Sequence, residues 1–252
     1  MVDQRLAWTW RAGWFQAFFI AGLVTGVIAT GKLEHGGRMK TGSLPFCPSP
    51  TSEGIVLPKA LIEKIRDLHS GPRRGYHGWS HPLALIRWYE LVKSRLNDPL
   101  AVYCAILLHD AVYEPRRPDN ESRSAALAEE LLNDVVPDAS LNRTFRLIEA
   151  TARHAIPPGL SVEDANDMAM FLDMDLSILA APQAAFDAYE DGVRHEYQEV
   201  PEEAFRAGRA SILEGFLERD ALYMSPWGQA EFETKARANL KRSVAKLRSK
   251  SA

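Results

Sequence analysis

Cysteine is close to absent from this chain: 252 residues hold only Cys47 and Cys104. Two unpatterned cysteines give no disulfide framework, so a reducing compartment is the simpler setting. Cys104 lies in an apolar run and reads as a small buried hydrophobe. Charge of one sign is also missing. Thirty Lys and Arg face 33 Asp and Glu, for a net charge of −3. That balance offers no electrostatic footprint for double-stranded nucleic acid. Two-residue alternation of apolar side chains is almost absent, which argues against a β architecture, and no internal repeat is evident. The length leaves room for one or two domains with a packed core.

Helical spacing fills what remains. A helix is expected from Pro58 to about His69, followed by the loop Gly71–Gly75. A second covers about Trp79 to Arg95, and a third, apolar nearly all round, runs from Pro99 to about Val112. A fourth starts at a cap on Asp119 or Asn120, a fifth at a cap on Ser140, and a sixth at Ser161 with Asp164 three residues on. Three more follow over roughly 182–198, 201–220 and 228–249. The basic stretch from Lys235 to Lys250 reads as a solvated helix face. The fold class is all-α.

One long hydrophobic run stands apart. No charge occurs between Arg11 and Lys32, a stretch long enough to cross a hydrocarbon layer of about 30 Å. Three readings compete for residues 12–31. They form a membrane anchor, or a cleaved signal peptide that lacks a small-x-small cleavage site, or an over-extended gene start with translation beginning at Met39. Gly36-Gly37-Arg38 favours the last, because a purine-rich ribosome-binding sequence read through would encode them. Arg5 and Arg11 before the run and Lys32, Arg38 and Lys40 after it set no orientation. Residues 40–54 read as a linker, so 1–54 are set apart from a functional domain over 55–250. A cytoplasmic location is expected, membrane-attached only if 12–31 are an anchor.

The chemistry gathers at three places. Leu107-Leu108-His109-Asp110 ends an apolar run in an adjacent imidazole and carboxylate. Tyr76-His77-Gly78-Trp79-Ser80-His81 precedes it, and Phe171-Leu172-Asp173-Met174-Asp175-Leu176 follows. A neutral imidazole beside a carboxylate can grip one metal ion from a helix end, and needs a further histidine and carboxylate to complete the site. His77 and His81 are four apart, on one face if the helix has begun by Gly78. Asp173 and Asp175 are about 200° apart around a helix, so both cannot face one ion. His154 has two readings: a histidine on a helix C-terminal dipole, or a contact to substrate phosphate or a second metal. Mixed His/Asp ligation suits Mn, Fe, Co, Ni or Zn better than Mg. After the pair comes the loop Glu114-Pro115-Arg116-Arg117-Pro118-Asp119-Asn120-Glu121. Arginines there can clamp phosphate oxygens, and the next helix N-terminus favours an anion.

The order His, His-Asp, Asp on a helical background resembles the HD superfamily of metal-dependent phosphohydrolases. The wording His109-Asp110-Ala111-Val112-Tyr113-Glu114-Pro115, then Asp119-Asn120-Glu121-Ser122-Arg123-Ser124-Ala125, looks like one predicted-phosphohydrolase branch of it. The resemblance spans roughly Leu57 to Asn239. It implies an HD-type helical bundle with additional C-terminal helices. It also implies a divalent metal ion on His81, His109, Asp110 and Asp175 that activates water for attack on a phosphomonoester or phosphoanhydride, a nucleotide among the candidates. Tyr-His-x-x-x-His resembles cyclic-nucleotide phosphodiesterases, which makes His81 the ligand and His77 the general acid. Pro82 departs from that pattern and leaves the split of roles open.

Relatives write the last ligand as Asp followed by Leu or a basic residue, which favours Asp175 over Asp173 and leaves the other to hydrogen-bond a ligand histidine. Asp110 takes on a second role as base. Only His154 lies between the pair and the last aspartate, so one tightly held metal is expected. Glu114, Arg117, Asn120, Glu121 and His154 are the expected substrate contacts. Tyr189, Arg194, Tyr197, Gly208 and Arg209 resemble the branch's C-terminal wording, and Arg194 and Arg209 have two readings, reaching the pocket or forming surface ion pairs. A homo-oligomer is left open. Two rival functions stand beside this one, a nucleotide sensor without turnover and a di-iron oxygenase, and a purely structural bundle is the remaining alternative.

Overall fold

A computed structural model describes residues 57–249. The apolar segment 12–31 and the linker 40–54 lie outside the described residues. Within them are nine α-helices and no strand: α1 (Lys59–Leu68), α2 (Ser80–Val92), α3 (Pro99–Leu108), α4 (Asn120–Leu132), α5 (Asp138–Thr151), α6 (Val162–Asp175), α7 (Gln183–Glu196), α8 (Glu202–Leu217) and α9 (Pro226–Arg248). Short 3₁₀ turns at Lys93–Arg95 and Leu176–Ala180 extend α2 and α6. No described helix is long and apolar enough to cross a membrane.

Helix α3 is the centre. Asp98 accepts a hydrogen bond from the Ala101 N–H at 3.0 Å and Pro99 occupies the first turn, a start that leaves few orphan donors. Every residue from Ala101 to Leu108 is buried, so a helix apolar on all sides has neighbours on all sides: α2, α4, α5 and α6 pack around it. A second apolar cluster joins Phe186, Tyr189, Phe205, Leu213, Phe216 and Phe232 of α7, α8 and α9. Trp88 and Trp227 belong to the flanks of both clusters.

Two expected caps are corrected. Helix α5 begins at Asp138, and the Ser140 hydroxyl donates instead to Asp98 Oδ2 at 2.8 Å, tying the starts of α3 and α5 together. Asp119 stands before α4 but makes no capping bond, because Arg117 takes its carboxylate. The Ser161 cap holds: its side chain accepts from Asp164 N at 3.0 Å. Helix α3 stops at Leu108, four residues short of Val112. The physical reason is Arg74, whose guanidinium takes the carbonyls of Asp110 and Ala111 at 2.9 Å each. Those carbonyls are thereby satisfied without another helical turn.

Candidate metal centre

Three helix C-termini meet at one place. His109 and Asp110 follow α3, Asp175 is the last residue of α6, and His154 lies just beyond α5. Helix C-termini carry partial negative charge, so their convergence favours a cation. His81 arrives from the first turn of α2. There Pro82 is accommodated because its missing N–H would have no helical partner, and the His81 N–H donates to Gly78 O at 3.0 Å.

The donor atoms are close. His81 Nε2 and His109 Nε2 are 3.0 Å apart. Asp110 Oδ2 is 3.0 Å from His109 Nε2 and 3.6 Å from His81 Nε2. Asp175 Oδ1 is 3.1 Å from His81 Nε2 and 3.4 Å from His109 Nε2. His81, His109 and Asp110 each offer one donor within 4.8 Å of the others, a group able to hold a metal ion. Ligands about 2.1 Å from one ion stand about 3.0 Å apart at right angles and about 3.4 Å apart at the tetrahedral angle. Four of the five observed spacings fall in that range, and His81 Nε2 to Asp110 Oδ2, at 3.6 Å, lies just beyond it.

The far sides of both rings are occupied. His109 Nδ1 faces the carbonyls of Ile106 and Ala105 at 3.1 and 3.3 Å. Carbonyls only accept, so Nδ1 carries the proton and Nε2 keeps a lone pair in the neutral ring. His81 Nδ1 hydrogen-bonds the Tyr76 hydroxyl at 2.8 Å. Asp110 Oδ2 is buried with no donor directed at it. A lone-pair nitrogen on His109 and a buried carboxylate oxygen turned toward one another are costly without a proton or a cation between them. The donor set fits a divalent ion.

Electrostatics agree in direction. Burial lowers the His81 pKa and keeps that ring neutral. Burial alone would also lower His109, yet Asp110 and Asp175 carry it well above the usual imidazole range. Burial alone would raise both carboxylates, but His109 holds Asp110 and Asp175 below the usual carboxylate range. Two buried anions thus require a positive charge beside them, supplied by a proton on His109 or by a cation that displaces that proton.

The remaining sequence candidates are distributed around this group. His77 sits beside it, not in it. Its Nδ1 is 2.8 Å from Glu196 Oε2, its ring stacks on Tyr113 with centroids 3.5 Å apart, and its carbonyl accepts from Arg74. Glu196 is a node: Oε1 accepts the N–H groups of Tyr76 and His77 at 2.7 and 2.9 Å, and Oε2 also accepts the Tyr113 hydroxyl at 2.9 Å. Burial pulls the His77 pKa down, but Glu196 and Asp110 bring it above the usual value. Glu121, half-buried in the first turn of α4, is pushed up to about 7, by burial first and by Asp110 second.

Several expected roles change. Asp173 hydrogen-bonds no histidine. It accepts from Met224 N at 2.7 Å, Ser225 N at 2.8 Å and the Ser225 hydroxyl at 2.6 Å, and so anchors the start of α9 on α6. His154, expected at substrate phosphate, is fully buried with Nε2 2.9 Å from Asp175 Oδ2, so it steadies that carboxylate from behind. Asn120 engages its amide with the loop backbone, accepting from Glu114 N and donating to Glu114 O at 3.0 and 2.9 Å, and so pins the loop. Exposed Glu114 and Arg117 pair with Arg123 and Asp119. Arg209 is not at the surface: it is 1% exposed and bonded to Glu190 and the Tyr189 hydroxyl. Arg194 reaches Glu202 and the carbonyls of Tyr197 and Val200, all near its own helix end. In the basic tail, Arg237, Arg242 and Arg248 are ion-paired to Glu233, Asp187 and Glu214 rather than simply solvated.

Glu196 and Arg74 escaped sequence reasoning. Glu196 meets its partners across 119 and 120 residues, and nothing local distinguishes it from its acidic neighbours on α7. Compared with protein-family models, curated proteins and solved structures, the chain matches none.

Proposed function

We propose that this protein is a metal-dependent phosphohydrolase of the HD type, cleaving a phosphomonoester or phosphoanhydride. The observation that carries the reading is the convergence of His81, His109, Asp110 and Asp175 beside a buried His77–Glu196–Tyr113 chain. Those four side chains are the ligands, two neutral imidazoles and two ionised carboxylates whose charges balance a divalent ion. Mn, Fe, Co, Ni or Zn suits this mixed set better than Mg. When bound, the cation supplies Lewis acidity toward a phosphoryl oxygen and toward water.

The protein's own groups move the protons. Attack of a water oxygen on phosphorus breaks the bond to the leaving oxygen, and one proton must leave the water while another reaches the leaving group. Asp110 is the acceptor for the first. His77 supplies the second from Nε2, because Nδ1–H is committed to Glu196. Glu196 also holds the His77 backbone through its N–H, so backbone and ring are fixed to one carboxylate and the imidazole cannot turn without breaking its Nδ1 bond.

The test is the full chain incubated with Mn²⁺ and a panel of phosphomonoesters and nucleotides. Phosphate release that disappears together with bound metal in His109→Ala is the expected result. A wild-type protein that binds metal yet releases no phosphate from any compound overturns the reading.

A further inference from the structure

A cavity of about 390 Å³ lies next to the metal centre, and Tyr113 and Glu196, the groups that hold His77, form part of its wall. A site of that volume suits a small organic ligand. Its lining includes four arginines, Arg73, Arg74, Arg116 and Arg117. Three carboxylates also line it. Glu196 is bonded to His77, exposed Glu114 to Arg123, and exposed Glu199 lies 3.5 Å from Arg73. Arg117 is engaged by Asp119. Arg74 is held by three carbonyls, and the Asp110 and Glu196 carboxylates act on its charge.

Arg116 differs from the others. Its guanidinium makes no ion pair and no hydrogen bond among the described residues, and its backbone has φ of 74°, in the left-handed region that L side chains disfavour. Its backbone faces the Tyr197 hydroxyl, which in turn is linked to Tyr113. A strained residue that carries an unpaired cation to the edge of a cavity is an outlier whose local cost calls for a purpose.

We propose that this cavity seats a second phosphate of the substrate, with Arg116 as its principal contact, so that the molecule turned over is a small compound with two phosphoryl groups. This rests on the phosphohydrolase reading for the fate of the first phosphate, but the cavity's affinity for a phosphate anion does not. Guanidinium groups bind phosphate oxygens in a fixed fork, and an exposed arginine with no internal partner gives up no ion pair in doing so.

Pyrophosphate titrated calorimetrically into the full chain carrying His109→Ala separates the two claims, since that protein lacks a metal ligand. Binding there, weakened about tenfold or more when Arg116→Gly is added, supports the proposal. Arg116→Gly relieves a left-handed strain, so its melting temperature should stay level or rise, and weaker binding cannot be blamed on unfolding. Equal affinity with and without Arg116, or no binding to a folded His109→Ala protein, overturns it. If His109→Ala does not fold, the comparison is made between metal-loaded wild type and Arg116→Gly, with the same criterion. For turnover, Arg116→Gly should raise KM for bisphosphorylated compounds and leave KM for monophosphates unchanged. An unchanged KM for both, with pyrophosphate binding still lost, marks an effector site and refutes the substrate assignment. Absence of all phosphate release with pyrophosphate binding intact defeats the hydrolase reading alone.

Discussion

Replacing Glu196 with glutamine keeps its volume and removes only its charge and half of its accepting capacity. In the native protein four donors converge on the carboxylate, the N–H groups of Tyr76 and His77 on Oε1 and the His77 ring and Tyr113 hydroxyl on Oε2. The glutamine oxygen can serve the two backbone donors. Its NH₂ then faces His77 Nδ1 and the Tyr113 oxygen, which must become acceptors. The tyrosine hydroxyl can rotate. The imidazole can comply only by moving its proton from Nδ1 to Nε2, and it loses the charge-assisted bond that raised its pKa. One such bond is worth about 1.5–3 kcal/mol, which is the expected loss of stability.

The effect on turnover should be larger in proportion. General acid catalysis contributes about 10²–10⁴-fold, and kcat of Glu196→Gln should fall by an amount in that range with the metal content unchanged. The pH dependence gives the sharper signature. In the wild type Glu196 raises the His77 pKa, so the alkaline limb of the activity profile lies above the ordinary imidazole value of about 6.5; the variant should move it to lower pH. Stability follows the same pair. The raised His77 contributes fully below about pH 6.5 and loses its contribution as pH climbs through its folded value. The lowered Glu196 contributes above about pH 4.3 and loses its share on acidification. The stability gap between wild type and variant is therefore widest between those two values. A variant with wild-type kcat and an unshifted alkaline limb, at equal metal content, would refute the assignment of His77 and Glu196 as an acid and its orienting partner.

Two further outcomes follow from the geometry without reference to a substrate. A divalent ion binding the folded site at 100 times its dissociation constant adds about 2.7 kcal/mol; for a chain of this size that is a rise of roughly 5–11 °C in melting temperature. His109→Ala should abolish the rise, and a rise of equal size in that variant would exclude the site. Asp173→Ala strands the backbone N–H groups of Met224 and Ser225 and should cost roughly 2–4 kcal/mol in urea unfolding. Its metal stoichiometry should stay at the wild-type value, and metal loss in a folded Asp173→Ala protein would return Asp173 to the ligand set.

What could be read in the sequence was local. Asp98-Pro99 before an unbroken apolar run announced α3, and Ser161 with Asp164 announced α6, because a cap and its acceptor sit within one turn. His109-Asp110 and Asp175 were visible for a related reason: each closes a buried helix, where a polar side chain has no cause to be unless it meets a partner. The supporting groups were not legible, since each is defined by a partner far along the chain. Ser140 has the look of a cap and serves as a donor to Asp98, 42 residues away. Asp173 and Asp175 are two positions apart on one helix, which alone says that they face different ways. It took α9, arriving from 51 residues on, to decide that Asp173 was the structural one.

His154 makes the same point about chemistry. A histidine just past a helix end reads locally as a neighbour of the dipole or a surface contact. In the fold α5 and α6 end side by side, so the ring turns inward to Asp175 Oδ2 while Oδ1 of the same carboxylate faces His81 and His109. A carboxylate held on one oxygen by a buried imidazole has its other oxygen aimed, and that fixed aim is what a rigid metal ligand requires. His109, Asp110 and Asp175 could be singled out because each ends a helix; the ring that aims Asp175 comes from the end of a different helix, and only the packing brings the two into register.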